Sequence, residues 1–186
     1  MGSAVSHSLP TVMAITIRLS HRWYVRTREV SAEVGQMKTK KKLPNDLIGV
    51  SGVHFVVSEL SRRGLIALPT VKNCAAYDII ATNPTGTKHA NLQVKTSFGT
   101  RDFWPISASK KIRSGPHDYY IFLRWLGPEE RYQGYLVQGR EVKLRVKRAE
   151  AETKRKGQRQ FPAFFVGKRS KGRDAHWAKQ WSRWAL

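Results

Sequence analysis

Apolar positions change their period along the chain, and each change marks an element. From Asp46 to Arg63, the residues Val53, Val56, Val57 and Leu60 recur on one helical face, after Pro44 and a capping Asn45 and before Gly64, so a helix is predicted there. Leu65 to Leu68 then reads as a short buried strand ended by Pro69. Tyr77 to Thr82 and Ala90 to Ser97 form two more strands, joined as a hairpin through the turn Asn83-Pro84-Thr85-Gly86. Tyr119 to Leu126 and Tyr132 to Val137 follow, separated by Gly127-Pro128, which makes a core of one helix and five strands.

Beyond Arg140 the period alone does not decide. Val142, Leu144 and Val146 alternate as in a strand, while Val142, Val146 and Ala149 also fall at helical spacing. The absence of Gly and Pro from Arg140 to Lys156, with Glu150 four residues before Lys154 and Glu152 four before Lys156, selects helix. Trp177, Trp181 and Trp184 share one face of a last helix, a stripe that suits docking onto the domain better than stacking on bases.

A chain of 186 residues is long enough for one core, so one domain with tails is expected. Residues 1 to 36 show no clear apolar period and are read as an N-terminal extension, disordered or outside the native domain, with Met37 as the natural start. A targeting peptide is the other reading, from Arg18, Arg22, Arg26 and Arg28, but no amphipathic helix or small-residue cleavage site accompanies them. Residues 37 to 186 then make a single domain, with its core at 46 to 137 and a basic region at 138 to 186.

The formal net charge of +21 favours a polyanionic partner, because phosphates release condensed counterions when Lys and Arg bind them. Interleaving with six Trp and six Tyr favours nucleic acid over an anionic membrane face. No apolar run is long enough to cross a bilayer, so no membrane partner is expected. Cys74 is the single cysteine; there is no disulfide framework or zinc cluster, a cytoplasmic setting fits, and Cys74 is expected to be a small buried residue rather than a nucleophile.

The chemistry concentrates in the hairpin. In a strand, residues two apart share a face, so Gln93 and Lys95 project together, and folding about the turn brings Asp78 opposite the Val94 to Lys95 region. A divalent cation there would take the Asp78 carboxylate, the Gln93 side-chain carbonyl and the main-chain carbonyl of Val94, with water and a scissile phosphate completing its shell. Lys95 would orient or deprotonate the attacking water and offset charge on the phosphorane. Taken singly, an Asp at a strand start is a common turn cap and a Lys at a strand end is commonly solvated; the combination in a basic chain points to phosphodiester chemistry.

The order of helix, Asp78 strand and Gln93-x-Lys95 strand resembles the PD-(D/E)XK nuclease superfamily, in the Gln-bearing variant found among methyl-directed restriction enzymes. The resemblance covers Asp46 to about Val137. It implies an α/β, restriction-endonuclease-like core, a mixed central β-sheet flanked by helices with a basic C-terminal helical tail, and Mg2+ or Mn2+ as cofactor. It also implies Asp78 as metal-binding acid, Gln93 in the place of the usual Glu, and Lys95 as catalytic lysine. One departure stands out: relatives carry a Glu on the first helix about eleven residues before the Arg-Gly that ends it, and Arg63-Gly64 projects that position onto Val53. Glu59 is rotated away around the helix and is expected to pair with Arg63 instead.

Lys110, Lys111 and Arg113 after the hairpin, and Lys143 and Arg145 further on, are the expected nucleic-acid contacts. Arg101, Phe103 and Trp104 form either a stacking element beside the site or part of the core. The expected function is hydrolysis of DNA phosphodiester bonds. The alternatives are a nucleic-acid-binding protein of the same fold with weakened or lost catalysis, and a basic RNA-associated structural protein. The oligomeric state stays open, a homodimer included.

Overall fold

The computed structural model describes residues 43–71, 77–99, 101–127, 132–158, 161–167, 173–184 and 186. The expectations for residues 1 to 36 and for Cys74 fall outside these residues. Helix α1 (Asn45–Arg62) is followed by strands β1 (Ile66–Pro69), β2 (Ile79–Thr82), β3 (His89–Phe98) and β4 (Phe103–Pro105), and then by a short 3-10 turn, Ser109–Lys111. Strands β5 (Asp118–Trp125) and β6 (Tyr132–Gln138), helix α2 (Gly139–Arg155), strand β7 (Ala163–Phe165) and helix α3 (Arg173–Arg183) complete the order.

Five strands form a mixed sheet in the order β1-β2-β3-β5-β6, with β3 and β5 parallel and the other neighbours antiparallel. The β2–β3 turn is held by Asn83, whose Oδ1 accepts the Lys88 N–H at 2.9 Å while its Nδ2 donates to Thr85 Oγ1 at 2.9 Å. The alternation of side chains separates two cores. On one face α1 packs Val56 and Leu60 against Ile79, Leu92, Val94, Ile121 and Leu123. On the other, α2 lies over β5 and β6, and Val142 and Val146 join Phe122, Tyr135 and Val137. The centre of β5 is buried on both faces, which is why Ile121-Phe122-Leu123 runs apolar without alternation.

Close approach explains two glycines. A Cβ on Gly52 would lie 1.9 Å from Thr96 Oγ1, so α1 can rest directly on β3. Gly52→Ala should cost about 1–3 kcal/mol through overpacking. In urea unfolding, most of that loss should disappear in the Gly52→Ala/Thr96→Ala pair, since the clashing hydroxyl is gone and is buried without a partner in any case; strictly additive losses would count against the contact. On β6, a Cβ on Gly134 would sit 2.5 Å from Trp181 Nε1, where α3 lies along the strand. Trp177 and Trp181 are buried in the two different cores, so α3 straddles and closes this sheet edge. The tryptophan stripe is thus a docking surface. Arg63 adds to it, donating to the Trp181 carbonyl at 2.6 Å with its guanidinium 4.6 Å from the indole centroid.

Several expectations need correction. Strand β1 is not buried: among the described strands it lies at the edge of the sheet, with Ile66 and Leu68 exposed, a place where Pro69 is tolerated because an edge strand needs no donor on its outer side. The first helix starts at Asn45, with Pro44 rather than Asn45 in the cap position. Glu150 pairs not with Lys154 but with Ser109, whose N–H donates to Oε1 at 2.8 Å, whereas the expected Glu152–Lys156 pair forms at 2.7 Å. Trp104 is core: it is 1% exposed, and its indole N–H donates to the Leu123 carbonyl at 2.9 Å. The second, two-stranded sheet of β4 and β7 was not foreseen.

Candidate functional site

Among the described residues, helix α2 packs on β5 and β6, and the half-buried Asp78, Gln93 and Lys95 lie beside it on the sheet face away from α1. Register fixes what projects there. Ile79 and Leu92 are partners and face α1, so their neighbours Asp78 and Gln93 face the other side, with Asp78 level with Gln93 rather than with the Val94 to Lys95 region as expected. Gln93 lies beside Tyr120 and Lys95 beside Phe122 on β5.

Asp78 stands just before β2, where the ladder to β3 runs out. Its N–H donates to the Leu92 carbonyl at 2.9 Å, and its Oδ2 accepts the Val94 N–H at 2.7 Å in place of the missing strand partner. The Gln93 amide also donates to Oδ2. Burial raises the Asp78 pKa above its ordinary 3.8, against the Val94 N–H, the Lys95 charge and the Gln93 amide, which all lower it. The structure therefore brings Asp78, Gln93, Val94 and Lys95 together within mutual reach.

The raised pKa has a sign that can be checked. Between its unfolded and folded values the native state binds more protons than the unfolded chain, so the Asp78 contribution to stability falls as pH rises through that window and stays low above it. Asp78→Asn keeps an acceptor for the Val94 N–H without the buried charge. It should raise the melting temperature at neutral pH, with the gain shrinking as pH falls through that window toward 3.8; an equal gain at all pH values would point to packing instead.

A second polar cluster adjoins the first. Asp118 is buried at the start of β5, accepting from Asn91 Nδ2 at 3.1 Å and from the Gly115 N–H at 2.8 Å. Burial pushes its carboxyl up, but Asn91, the Gly115 N–H, the Tyr77 hydroxyl and the Arg113 charge together hold it below the ordinary value. Arg113 lies 5.0 Å from the Tyr77 ring centroid, its guanidinium 3.4 Å from the hydroxyl. Tyr77, Asn91 and Asp118 escaped the sequence reading; the one signal for them was Asn91, two residues before Gln93 and hence on its face.

The basic residues divide. Lys110, Lys111 and Arg113 are exposed, and Lys143 is half-buried with its ammonium 3.4 Å from Ser114 Oγ. Arg145 is turned inward instead: it pairs with Glu141 at 3.3 Å and lies 4.8 Å from the Trp177 centroid, a use that holds α3 in place. Glu59 and Arg63 pair at 3.5 Å as expected. Val53 packs against the α1-side core.

The donors suit a hard dication in part. Asp78 Oδ1 and Gln93 Oε1 remain beside the Asp78–Gln93 hydrogen bond, two oxygens of the type that Mg2+ takes when water and substrate phosphates supply the rest. Among the described residues there is no group of three or more His, Cys, Asp or Glu side chains that could hold a metal ion. No helix among the described residues is long and apolar enough to cross a membrane. No protein-family model matches the chain, and no curated protein matches it either.

Proposed function

We propose that the protein is a metal-dependent endonuclease-like hydrolase of DNA phosphodiester bonds, built on a restriction-endonuclease-like core. The observation that supports this reading is the juxtaposition of the Asp78 carboxylate, the Gln93 amide and Lys95 on one sheet face, away from α1, in a chain of net charge +21. The order of a helix, an Asp strand and a Gln-x-Lys strand, with a parallel strand beside the last, supports it further.

Asp78, Gln93 and the main-chain carbonyl of Val94 would hold Mg2+ or Mn2+, which when bound polarises a phosphoryl oxygen and acidifies water. The chain's own residues do the remaining work. Lys95 places a cation at the site, where it orients a nucleophilic water and offsets charge gathering on the phosphate oxygens. Arg113, held against Tyr77, offers a second cation for the backbone of the strand, and exposed Lys110 and Lys111 extend the track. The partner is nucleic acid, with DNA the substrate proposed.

A second reading has its own support. With Val53 packed against the core and no group of three or more metal-ligating side chains among the described residues, the same surface would suit a nucleic-acid-binding protein in which hydrolysis is lost. Incubating the protein with plasmid and with single-stranded DNA, in Mg2+, in Mn2+ and in chelator, separates the two. Metal-dependent nicking supports the hydrolase; tight binding without nicking in any metal supports the second reading.

A further inference from the structure

On the opposite face of the sheet from Asp78, between the start of β5, the end of β6 and α3, lies a groove of about 560 Å3. That size is in the range of small-ligand sites. Its floor is Leu136, and Tyr119 and Trp184 meet above it with ring centroids 5.7 Å apart and planes inclined at 55°. The remaining lining is polar and of one kind of charge. Gln138 and Gln180 present amides, Lys179 and Arg183, four residues apart on α3, present cations from one helical face, and His176 completes the lining. Among the described residues, no Asp or Glu lines the groove.

These groups are complementary to one ligand chemistry. Aromatic faces stack on nucleobases, glutamine amides match the paired donor and acceptor of an adenine edge, and adjacent Lys and Arg take a phosphate. We propose that this groove binds a nucleoside monophosphate unit, adenine preferred, supplied either as a free nucleotide or as a single nucleotide everted from a strand. The proposal is independent of hydrolysis at Asp78.

The full chain is titrated with AMP, adenosine and inorganic phosphate, following tryptophan fluorescence. Binding of a DNA hairpin with one bulged adenine is compared with that of its fully paired counterpart. A free-nucleotide site gives saturable AMP binding, with adenosine and phosphate each at least tenfold weaker. Lys179→Glu/Arg183→Glu should then weaken AMP at least tenfold, while Lys154→Glu/Arg155→Glu, the same charge change on exposed positions of α2, leaves it within twofold. An everted-nucleotide site gives a preference for the bulged hairpin that disappears in Lys179→Glu/Arg183→Glu and persists in the α2 pair. Gln180→Ala, at an exposed position, should erase the preference for AMP over UMP without disturbing the fold. The proposal is overturned if neither saturable AMP binding nor a bulge preference is seen, or if both charge reversals weaken binding equally.

Discussion

Replacing Asp78 or Lys95 by Ala is expected to reduce metal-dependent DNA cleavage by at least about 10²–10³-fold, the usual loss when one electrostatic stabiliser of a transition state is removed. DNA affinity should change little, because the cationic track of Lys110, Lys111 and Arg113 is untouched. The two substitutions differ in what else they disturb. Asp78→Ala also removes the acceptor of the Val94 N–H, leaving that group without its partner at the end of the ladder. Lys95→Ala removes only a cation and its stem. Cleavage rates and filter-binding affinities measured together would decide the matter: cleavage that survives both substitutions would remove the hairpin from the mechanism.

Phe122→Ala should destabilise the domain by about 3–5 kcal/mol, the usual range for emptying a core aromatic site. Phe122 is fully buried and stacks on Phe164 with centroids 4.2 Å apart and planes within 3°. Trp104 packs on it from 5.4 Å and Tyr120 from 6.1 Å. One ring therefore ties β5 to both strands of the small β4–β7 sheet. Against a total of about 5–15 kcal/mol for a typical domain, the loss should appear as a large fall in the urea midpoint. A change below about 1 kcal/mol would mean that the small sheet is not packed on β5 as described.

Much of this organisation was legible in the chain. The two strands of the hairpin and their turn were, because period-two patterning and the Asn83–Gly86 sequence are local signals; the register was not, since Asp78 stands level with Gln93 rather than with the Val94 to Lys95 region. That Gln93 and Lys95 share a face followed from the same periodicity. Strand β1 was misread as buried because an apolar run reports affinity for a sheet, not its place within one; only the pairing order shows that its outer side is open. The β4–β7 sheet was invisible because its three-residue strands are too short to show a period and pair across a long stretch of chain. Asp118 was missed for a related reason: its partners Asn91, Gly115 and Tyr77 meet only when the parallel β3–β5 register forms. Arg145 carries no sequence mark that tells a solvated cation from one lying over an indole.

The open edge at β1 gives the net charge a second consequence. Its sequence, Ile66-Ala67-Leu68-Pro69, carries no charged gatekeeper, and its outer backbone offers a template on which another copy could add strands. Electrostatic repulsion between copies, each at +21, opposes that encounter, but only across distances that salt leaves unscreened, about 8 Å at physiological ionic strength. Salt high enough to strip the protein from a polyanion therefore also lowers the colloidal barrier protecting this edge. Self-association should accordingly grow in the same fractions of a salt gradient that release the protein from DNA.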